Sequence, residues 1–418
     1  MKINSFFIFI VFCVGAVTSN PAHSMKDTQS NNKNLWLNRL KFADGKTKMI
    51  DLNDIQDQID ITVLDRMHSA DNFKKKIANK VVFIQQNVDG TYSICLDGKV
   101  GYDIEINLVY VLLEHFGEYI SKLVISMPNP KSEGHLKKMV EIASQYCENL
   151  LKIFITGGKN IFDVVKKPFY NVTSVELQFS EFETHSQNFK EIFPNIQRLE
   201  LLWFKIKDDI FNDHFPKLDY LVIGMEDRFI GKLIEKNPQI RFLKMGFVSA
   251  NLVKLASEHL PILETLQLPY DTKINYEGEI HFKNVKHFEI NKITGGLLNI
   301  TFEQLEELKC NSYFFSQWID TVETNPNLKK LTVKTRDGVD DEYISLLIKI
   351  ARNLVEASFD CACHTQAETI VKFLKESKHM QKLYLNYCYS ILNELKLQIP
   401  DNWNLMLLEH EVIFIERK

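Results

Sequence analysis

Several features that would assign this chain of 418 residues to a class are scarce or missing. Glycine (16) and proline (11) are few, which argues against collagen-like or long low-complexity tracts. The net charge of −4 gives no sign of the basic face that nucleic-acid binding requires. The sequence contains no Gly-x-Ser-x-Gly, no Walker loop and no His-Glu-x-x-His, so it lacks three common catalytic motifs. We predict a protein that is not an enzyme, uses no cofactor and binds no nucleic acid.

Long apolar runs are also missing, except near the N-terminus. Lys2 precedes an apolar run from Phe6 to Val17, and small residues follow as far as Ser19. This order is typical of a secretory signal peptide cleaved after Ser19, with cleavage after Ser24 as the alternative. The run is short for a membrane span, and a buried N-terminal element is the other interpretation. We predict a secreted, extracellular protein without a membrane span.

The sequence does contain a repeated phrase: an apolar residue, two of any kind, a second apolar residue, one of any kind and a third apolar residue. The clearest copies follow Pro194, Pro216, Pro238, Pro261 and Pro326, and the first three intervals are 22, 22 and 23 residues. The phrase can be followed twelve times, from Ile120/Leu123/Ile125 to Met380/Leu383/Leu385. This period and pattern are typical of leucine-rich repeats.

Each copy predicts a short strand whose fourth and sixth residues point into the core. Between the strands, apolar residues spaced by three and four predict helices. These helices are Glu133–Cys147, Asn251–Leu260, Asp340–Ala351 and Gln366–Glu376. The predicted fold is therefore an α/β leucine-rich-repeat solenoid, a horseshoe with a parallel concave sheet and convex helices. Cys310 occupies a sixth position, so we expect it to be a small apolar core residue.

The rest of the chain flanks this solenoid. We predict a signal peptide (1–19), a flexible leader (20–35), a mainly helical N-terminal cap (36–117), the solenoid of about twelve repeats (118–400) and a C-terminal cap strand (401–418). Within the N-terminal cap, Thr91–Leu96 alternates like a strand, whereas 51–83 shows mixed helical spacing. At the other end, Glu411–Lys418 is expected to pair as the terminal strand.

The irregular repeats resemble those of F-box proteins. Cys388 stands at the ninth position of the last copy, as in the cysteine-containing leucine-rich repeats of that family. Within the F-box-like segment 51–83, Leu52-Asn-Asp-Ile55 and Ala70–Ala78 resemble the start and the closing helix of an F-box. The resemblance implies an alternative function, an intracellular, cytoplasmic substrate adaptor that docks to a cullin ubiquitin ligase.

Six cysteines remain after removal of a signal peptide that contains Cys13, and three of them cluster. Cys388 lies one repeat beyond Cys361 and Cys363, and neighbouring strands about 4.8 Å apart are within disulfide reach. Reduced core thiols and a metal site with His364 are the alternatives, but Cys-x-Cys-His lacks the usual zinc spacing, and we predict no metal. Asn171 and Asn299 lie in glycosylation sequons.

The residues at the third, fifth and seventh positions of each copy are expected to point away from the core. Most are polar, but several in the middle of the solenoid are apolar or aromatic and have charged neighbours, an arrangement typical of protein-binding hot spots. Singly exposed or loop-covered residues are the alternative interpretation. The predicted partner-binding residues are Arg198, Leu202, Tyr220, Val222, Phe242, Lys244, His287 and Glu289. The partner is predicted to be a protein.

Overall fold

A computed structural model describes most of the chain from residue 82 onward. The described residues are 82–86, 91–97, 109–110, 113–114, 117–127, 133–182, 189–202, 205–206, 213–224, 227–246, 249–273, 278–294, 299–311, 325–334, 341–350, 353–359, 365–386, 391–408 and 412–418. The predicted signal peptide, the leader and nearly all of the F-box-like segment lie outside them. The contact pattern divides the chain into two units, Met1–Ile210 and Phe211–Lys418.

The first unit is built on a sheet whose strands are mostly parallel. Its elements are β1 (Val82–Gln86), β2 (Tyr92–Asp97), a 3-10 turn (Gly117–Tyr119), β3 (Ile120–Ser126), α1 (Glu133–Tyr146), β4 (Lys152–Thr156), β5 (Ser174–Gln178), β6 (Glu181–Phe182), α2 (Phe189–Ile192), β7 (Arg198–Leu202) and β8 (Lys205–Ile206). Strand β1 pairs antiparallel with β2, and β2, β3, β4, β5 and β7 then follow in parallel. Strands β6 and β8 form a separate parallel pair.

The second unit repeats the same plan. Its elements are β9 (Tyr220–Gly224), α3 (Asp227–Lys236), β10 (Phe242–Met245), α4 (Ala250–His259), β11 (Thr265–Lys273), β12 (Glu279–Phe282), β13 (His287–Thr294), β14 (Asn299–Phe302), β15 (Glu307–Asn311), β16 (Lys330–Lys334), α5 (Asp341–Ile350), β17 (Glu356–Phe359), α6 (Ala367–Glu376), β18 (Lys382–Asn386), α7 (Leu392–Gln398), β19 (Trp403–Leu408) and β20 (Val412–Arg417). The sheet order is β9-β10-β11-β13-β15-β16-β17-β18-β20-β19, and β12 pairs with β14.

The twelve predicted triplets form the core of this architecture. All of their residues are buried, and none is more than 4% exposed. The fourth residues lie side by side in register, as Leu243 does with Leu221 and Leu266. Helices complete the core, since Phe373 of α6 packs edge-on against Phe359 of β17 with ring centroids 6.1 Å apart. The prediction of parallel strands with buried fourth and sixth residues is confirmed.

Side-chain amides join neighbouring copies at the residue just before the triplet. Asn284 donates from Nδ2 to the Pro261 carbonyl (2.6 Å), and Asn353 donates to the Pro326 carbonyl (2.8 Å). Asn171 makes the same bond to Glu148 at 2.8 Å. The amide ladder satisfies backbone carbonyls that lie outside the strands. Sequence reasoning did not predict it, although asparagine recurs at this position.

The four predicted helices are confirmed as α1, α4, α5 and α6, within a residue or two at each end. Helices α2, α3 and α7 were not predicted. No helix in the described ranges is long and apolar enough to cross a membrane.

Both ends of the sheet system differ in part from the predictions. At the N-terminal end, the helical expectation for 51–83 is wrong at Val82 and Phe83, which begin β1. The reason is that the apolar run Val82-Phe83-Ile84 pairs with the predicted strand at Thr91–Leu96, observed as β2. At the C-terminal end, the predicted terminal strand is confirmed as β20. It pairs antiparallel with β18 and with β19, and the hairpin strand β19 was not predicted.

Candidate protein-binding surface

In each unit, the third and fifth residues of the copies lie on the sheet face opposite to the buried triplets, here called the outward face. Parallel strands in register bring equivalent residues side by side in rows. In the second unit, the third-position row is Tyr220, Phe242, Thr265, His287, Glu307, Lys330, Glu356 and Lys382. The fifth-position row is Val222, Lys244, Gln267, Glu289, Lys309, Thr332, Ser358 and Tyr384.

The third-position row begins with two stacked aromatic rings. Tyr220 and Phe242 are in register on β9 and β10, with ring centroids 4.0 Å apart and an angle of 7° between the rings. Both side chains are half-buried. Aromatic contacts of this kind contribute about 0.5–1.5 kcal/mol beyond their buried area. The stack therefore presents two packed aromatic rings on the outward face.

The fifth-position partners of this pair behave differently from each other. Lys244 is half-buried, two residues beyond Phe242 on the same strand and the same face. Val222, opposite Lys244 in the ladder, is only 4% exposed. The expectation that Val222 lies open at the surface is wrong, and a partner touching the stack does not reach it in this conformation.

Further along the row, charged side chains pair with one another. His287 Nδ1 lies 3.0 Å from Glu307 Oε2, and Lys309 Nζ lies 2.8 Å from Glu307 Oε1. On the next strands, Lys330 Nζ lies 3.6 Å from Glu356 Oε2. Partial burial acts to raise the pKa of Glu307, but the hydrogen bonds and charges of Lys309 and His287 outweigh it and lower the pKa. These charges are compensated within the surface, so binding a partner there would break existing pairs.

Glu289 is half-buried on β13, between Gln267 of β11 and Lys309 of β15 in the register. His287, the third-position residue of the same strand, has an exposed side chain.

Of the eight predicted partner-binding residues, six belong to the second unit. Five of these six are accessible on the outward face.

The two remaining predicted residues, Arg198 and Leu202, lie on β7 of the first unit. Arg198 Nε donates to Glu200 Oε1 at 2.6 Å, so this charge has a partner within the same strand. Leu202 is half-buried and lies opposite Gln178 of β5.

Two carboxylates stand next to each other on the outward face of the first unit. Glu176 of β5 and Glu200 of β7 are in register, and Gln178 Nε2 donates to Glu176 Oε1 at 2.8 Å. Partial burial, followed by the charge of Glu200, raises the pKa of Glu176 above its usual value. This carboxyl is therefore held in a setting that disfavours its ionised form.

Sequence reasoning missed a second apolar cluster, at the last strands of the second unit. Tyr384 and Phe414 stack with ring centroids 4.8 Å apart, and Met406 is opposite Phe414 in the ladder. Met406, Leu407 and Leu408 are 41–48% exposed. In the sequence, this cluster is marked by the uninterrupted apolar run Leu405–Leu408, which lacks the alternation of apolar and polar residues that predicts a strand.

A hydroxyl, an imidazole and a carboxylate are linked on the small β12–β14 sheet. His281 Nδ1 lies 2.9 Å from Thr301 Oγ1, and its Nε2 lies 2.8 Å from Glu303 Oε1. His281 and Glu303 are both exposed to water. Exposed polar contacts of this kind contribute at most about 1 kcal/mol. We assign them the role of joining β12 to β14.

The cysteine and glycosylation predictions fall partly outside the described residues. Cys361, Cys363 and Cys388 lie outside them, so the disulfide remains a prediction. Cys310 is buried in the core as expected, and burial raises the pKa of its thiol. The described part of the chain contains no group of histidine, cysteine and acidic side chains suited to a metal ion.

The sequons also remain predictions. Asn171 is exposed on the amide ladder, so its side chain reaches solvent. Asn299 is the first residue of β14.

Comparison with known proteins adds no relative. No family model matches the chain, and no curated protein matches it significantly.

Proposed function

We propose that this chain is a secreted, non-enzymatic leucine-rich-repeat protein that binds a protein partner through the outward face of its sheet. The proposal includes the horseshoe arrangement, with the outward face as its concave side. The repeat class is supported by the period of the copies together with the burial of all twelve triplets. Within each unit, each copy supplies one strand that pairs in register with its neighbours, as solenoid repeats do.

One observation carries the binding proposal: the stacked, half-buried rings of Tyr220 and Phe242, next to strands β11 to β17, whose third- and fifth-position residues are all polar. Aromatic residues with a polar rim dominate the energetics of protein interfaces. The neighbouring residues on β11, Thr265 and Gln267, are half-buried and uncharged, so on that side a partner buries the rings next to uncharged side chains. Lys244, on the strand of Phe242, supplies the charge beside the stack. The paired charges further along the row supply selectivity rather than affinity.

A double substitution tests this surface. Tyr220→Ala with Phe242→Ala should weaken binding of proteins captured from the native extracellular fluid by about 30-fold or more, because hot-spot truncation costs about 2 kcal/mol or more. Quantitative mass spectrometry of the captured proteins, followed by titration of the main one, measures the change. The matched control is Tyr146→Ala with Tyr170→Ala, which removes two exposed aromatic side chains elsewhere. Equal binding by both double variants would refute the role of the stack.

Expression of the full chain in insect cells tests secretion. The protein should appear in the medium with Asn20 as its N-terminal residue, and its electrophoretic mobility should change after glycosidase treatment. The alternative function, an intracellular F-box-like adaptor, predicts retention in the cytosol, an intact N-terminus and capture of the ubiquitin-ligase adaptor in a pull-down. Retention with unchanged mobility would end the secreted proposal.

A further inference from the structure

Strand β19 (Trp403–Leu408) is an edge strand of the second unit. One side of it pairs with β20 over six consecutive residues, from Trp403 opposite Arg417 to Leu408 opposite Val412, with no shift in register. Within the described residues, no strand pairs with its other side. Trp403 N donates to the Pro400 carbonyl (2.9 Å), so a further ladder on that side would use the backbone groups of the strand beyond this N–H.

The composition of β19 is unusual for an exposed edge. Natural edge strands are protected by lysine, proline, bulges or inward-pointing charges. The sequence Trp-Asn-Leu-Met-Leu-Leu has no charged residue and no proline. Its ladder with β20 has no bulge. The end of a repeat protein is normally closed by a polar surface, whereas Met406, Leu407 and Leu408 are each more than two-fifths exposed.

Both faces of the strand contribute to this apolar edge. Met406 and Leu408 lie on one face by alternation, and Met406 is opposite Phe414, whose ring stacks on Tyr384. Leu405 and Leu407 lie on the other face, opposite the buried residues Ile415 and Ile413. A strand added here would continue both layers, provided that it also carries apolar side chains on both faces.

We propose that the occupant of this edge is β19 of a second copy of the chain, paired antiparallel about a twofold axis. Twofold dimers are the commonest soluble oligomers, and their interfaces are self-complementary. Charge favours this occupant, because antiparallel pairing sets an uncharged strand against an identical uncharged strand. A strand that carries charges on either face would place them against leucine or methionine.

The size of the contact sets its strength. Six residues span about 20 Å of strand, and one added strand pair is smaller than the interface of a typical stable complex. The dimer is therefore weak and depends on concentration. It uses the edge of the sheet and does not depend on the binding role proposed for Tyr220 and Phe242.

Sedimentation velocity of the full chain, from about 1 to 200 µM, tests the proposal. The wild type should shift from monomer to dimer across this range. Leu407→Lys, which adds the charge that protected edges carry, should weaken dimerisation at least tenfold. Leu397→Lys is the matched control, because Leu397 is 88% exposed but belongs to α7, and it should dimerise like the wild type.

Circular dichroism at each concentration confirms that the variants fold. If Leu407→Lys does not fold, Leu408→Lys makes the same change at the next residue of the strand. A wild type that remains monomeric at 200 µM overturns the proposal. So does a dimer that neither edge variant weakens, or one that Leu397→Lys weakens equally.

Discussion

Two glutamates on the outward faces have pKa values shifted in opposite directions. Glu176 is partly buried beside the carboxylate of Glu200, so its pKa is raised. Glu307 is also partly buried, but Lys309 and His287 donate to it, so its pKa is lowered. A pKa that differs between the folded and unfolded states makes stability depend on pH. The two residues should therefore affect stability in opposite senses.

For Glu176, the folded pKa lies above the usual value of 4.5. Its ionised form destabilises the fold above the folded pKa, and the penalty disappears as the pH falls to 4.5. Glu176→Gln keeps an acceptor for Gln178 and should raise the free energy of unfolding by about 0.5 kcal/mol at pH 7, an amount reduced by solvent screening. Urea unfolding at pH 7 and pH 4 measures it. A lower free energy of unfolding for Glu176→Gln than for the wild type at pH 7 would contradict the conclusion that burial disfavours the ionised form of Glu176.

For Glu307, the folded pKa lies below the usual value of 4.5. Its contribution is complete above pH 4.5 and is lost as the pH falls through the folded pKa. Glu307→Gln should lower the free energy of unfolding by about 0.5 kcal/mol at pH 7. The difference from the wild type should shrink below pH 4. A difference that stays constant from pH 7 to pH 3 would show that the ion pairs with Lys309 and His287 do not contribute.

Among the secondary-structure elements, sequence reasoning succeeded where periodicity was strong. Helices α1, α4, α5 and α6 have apolar residues at three- and four-residue spacing over ten or more positions. Helix α3 has a glycine, Gly231, in its middle, which lowers helix propensity. A Cβ at Gly231 would lie 3.2 Å from Leu255 Cδ2 of α4, so a larger residue at this position would need Leu255 to shift. The spacing of residues within α3 does not show this contact with α4.

The amide that follows α3 is a buried junction between copies. Asn237 Nδ2 donates to the Leu233 carbonyl (2.8 Å) and to the Asp213 carbonyl (3.0 Å). Its Oδ1 accepts from Phe215 N at 2.7 Å. One side chain therefore caps the end of α3 and satisfies backbone groups of the preceding copy.

Asn237→Ala should lower the free energy of unfolding by about 2 kcal/mol, because the buried Phe215 N–H loses its acceptor. Urea unfolding of the full chain measures the loss. The control is Asn284→Ala on the exposed amide ladder, where water replaces the lost bond and the expected cost is about 0.5 kcal/mol. Equal costs at the two positions would show that burial does not set the value of these bonds.

For the whole molecule, the sequence predicted the strand of each copy and its buried triplet. The single solenoid over 118–400 stays a prediction; the contacts group the chain into two units, Met1–Ile210 and Phe211–Lys418. The copies around Pro194 and Pro216 keep the ordinary 22-residue interval across that point, so no spacing marks the division. The apolar edge at β19 was missed because its residues are apolar on both faces, which hides the alternation of a strand.

The outward face of the copies was predicted in outline because alternation fixes which residues point outward. The sequence could not show that Tyr220 and Phe242 stack, since that depends on the register of β9 with β10. Nor could it show that Val222 is buried, because exposure depends on what packs beside the strand.

Hydroxyl-radical footprinting of Tyr220 and Phe242, with and without the captured partner, tests the central claim most directly. Partner binding through the outward face should reduce labelling of both rings at least fivefold at saturation, because the hot spots of an interface are fully desolvated. Labelling of Tyr170, which is 62% exposed and lies outside the strands, should stay unchanged. Equal labelling of Tyr220 and Phe242 in the free and bound protein would contradict the account.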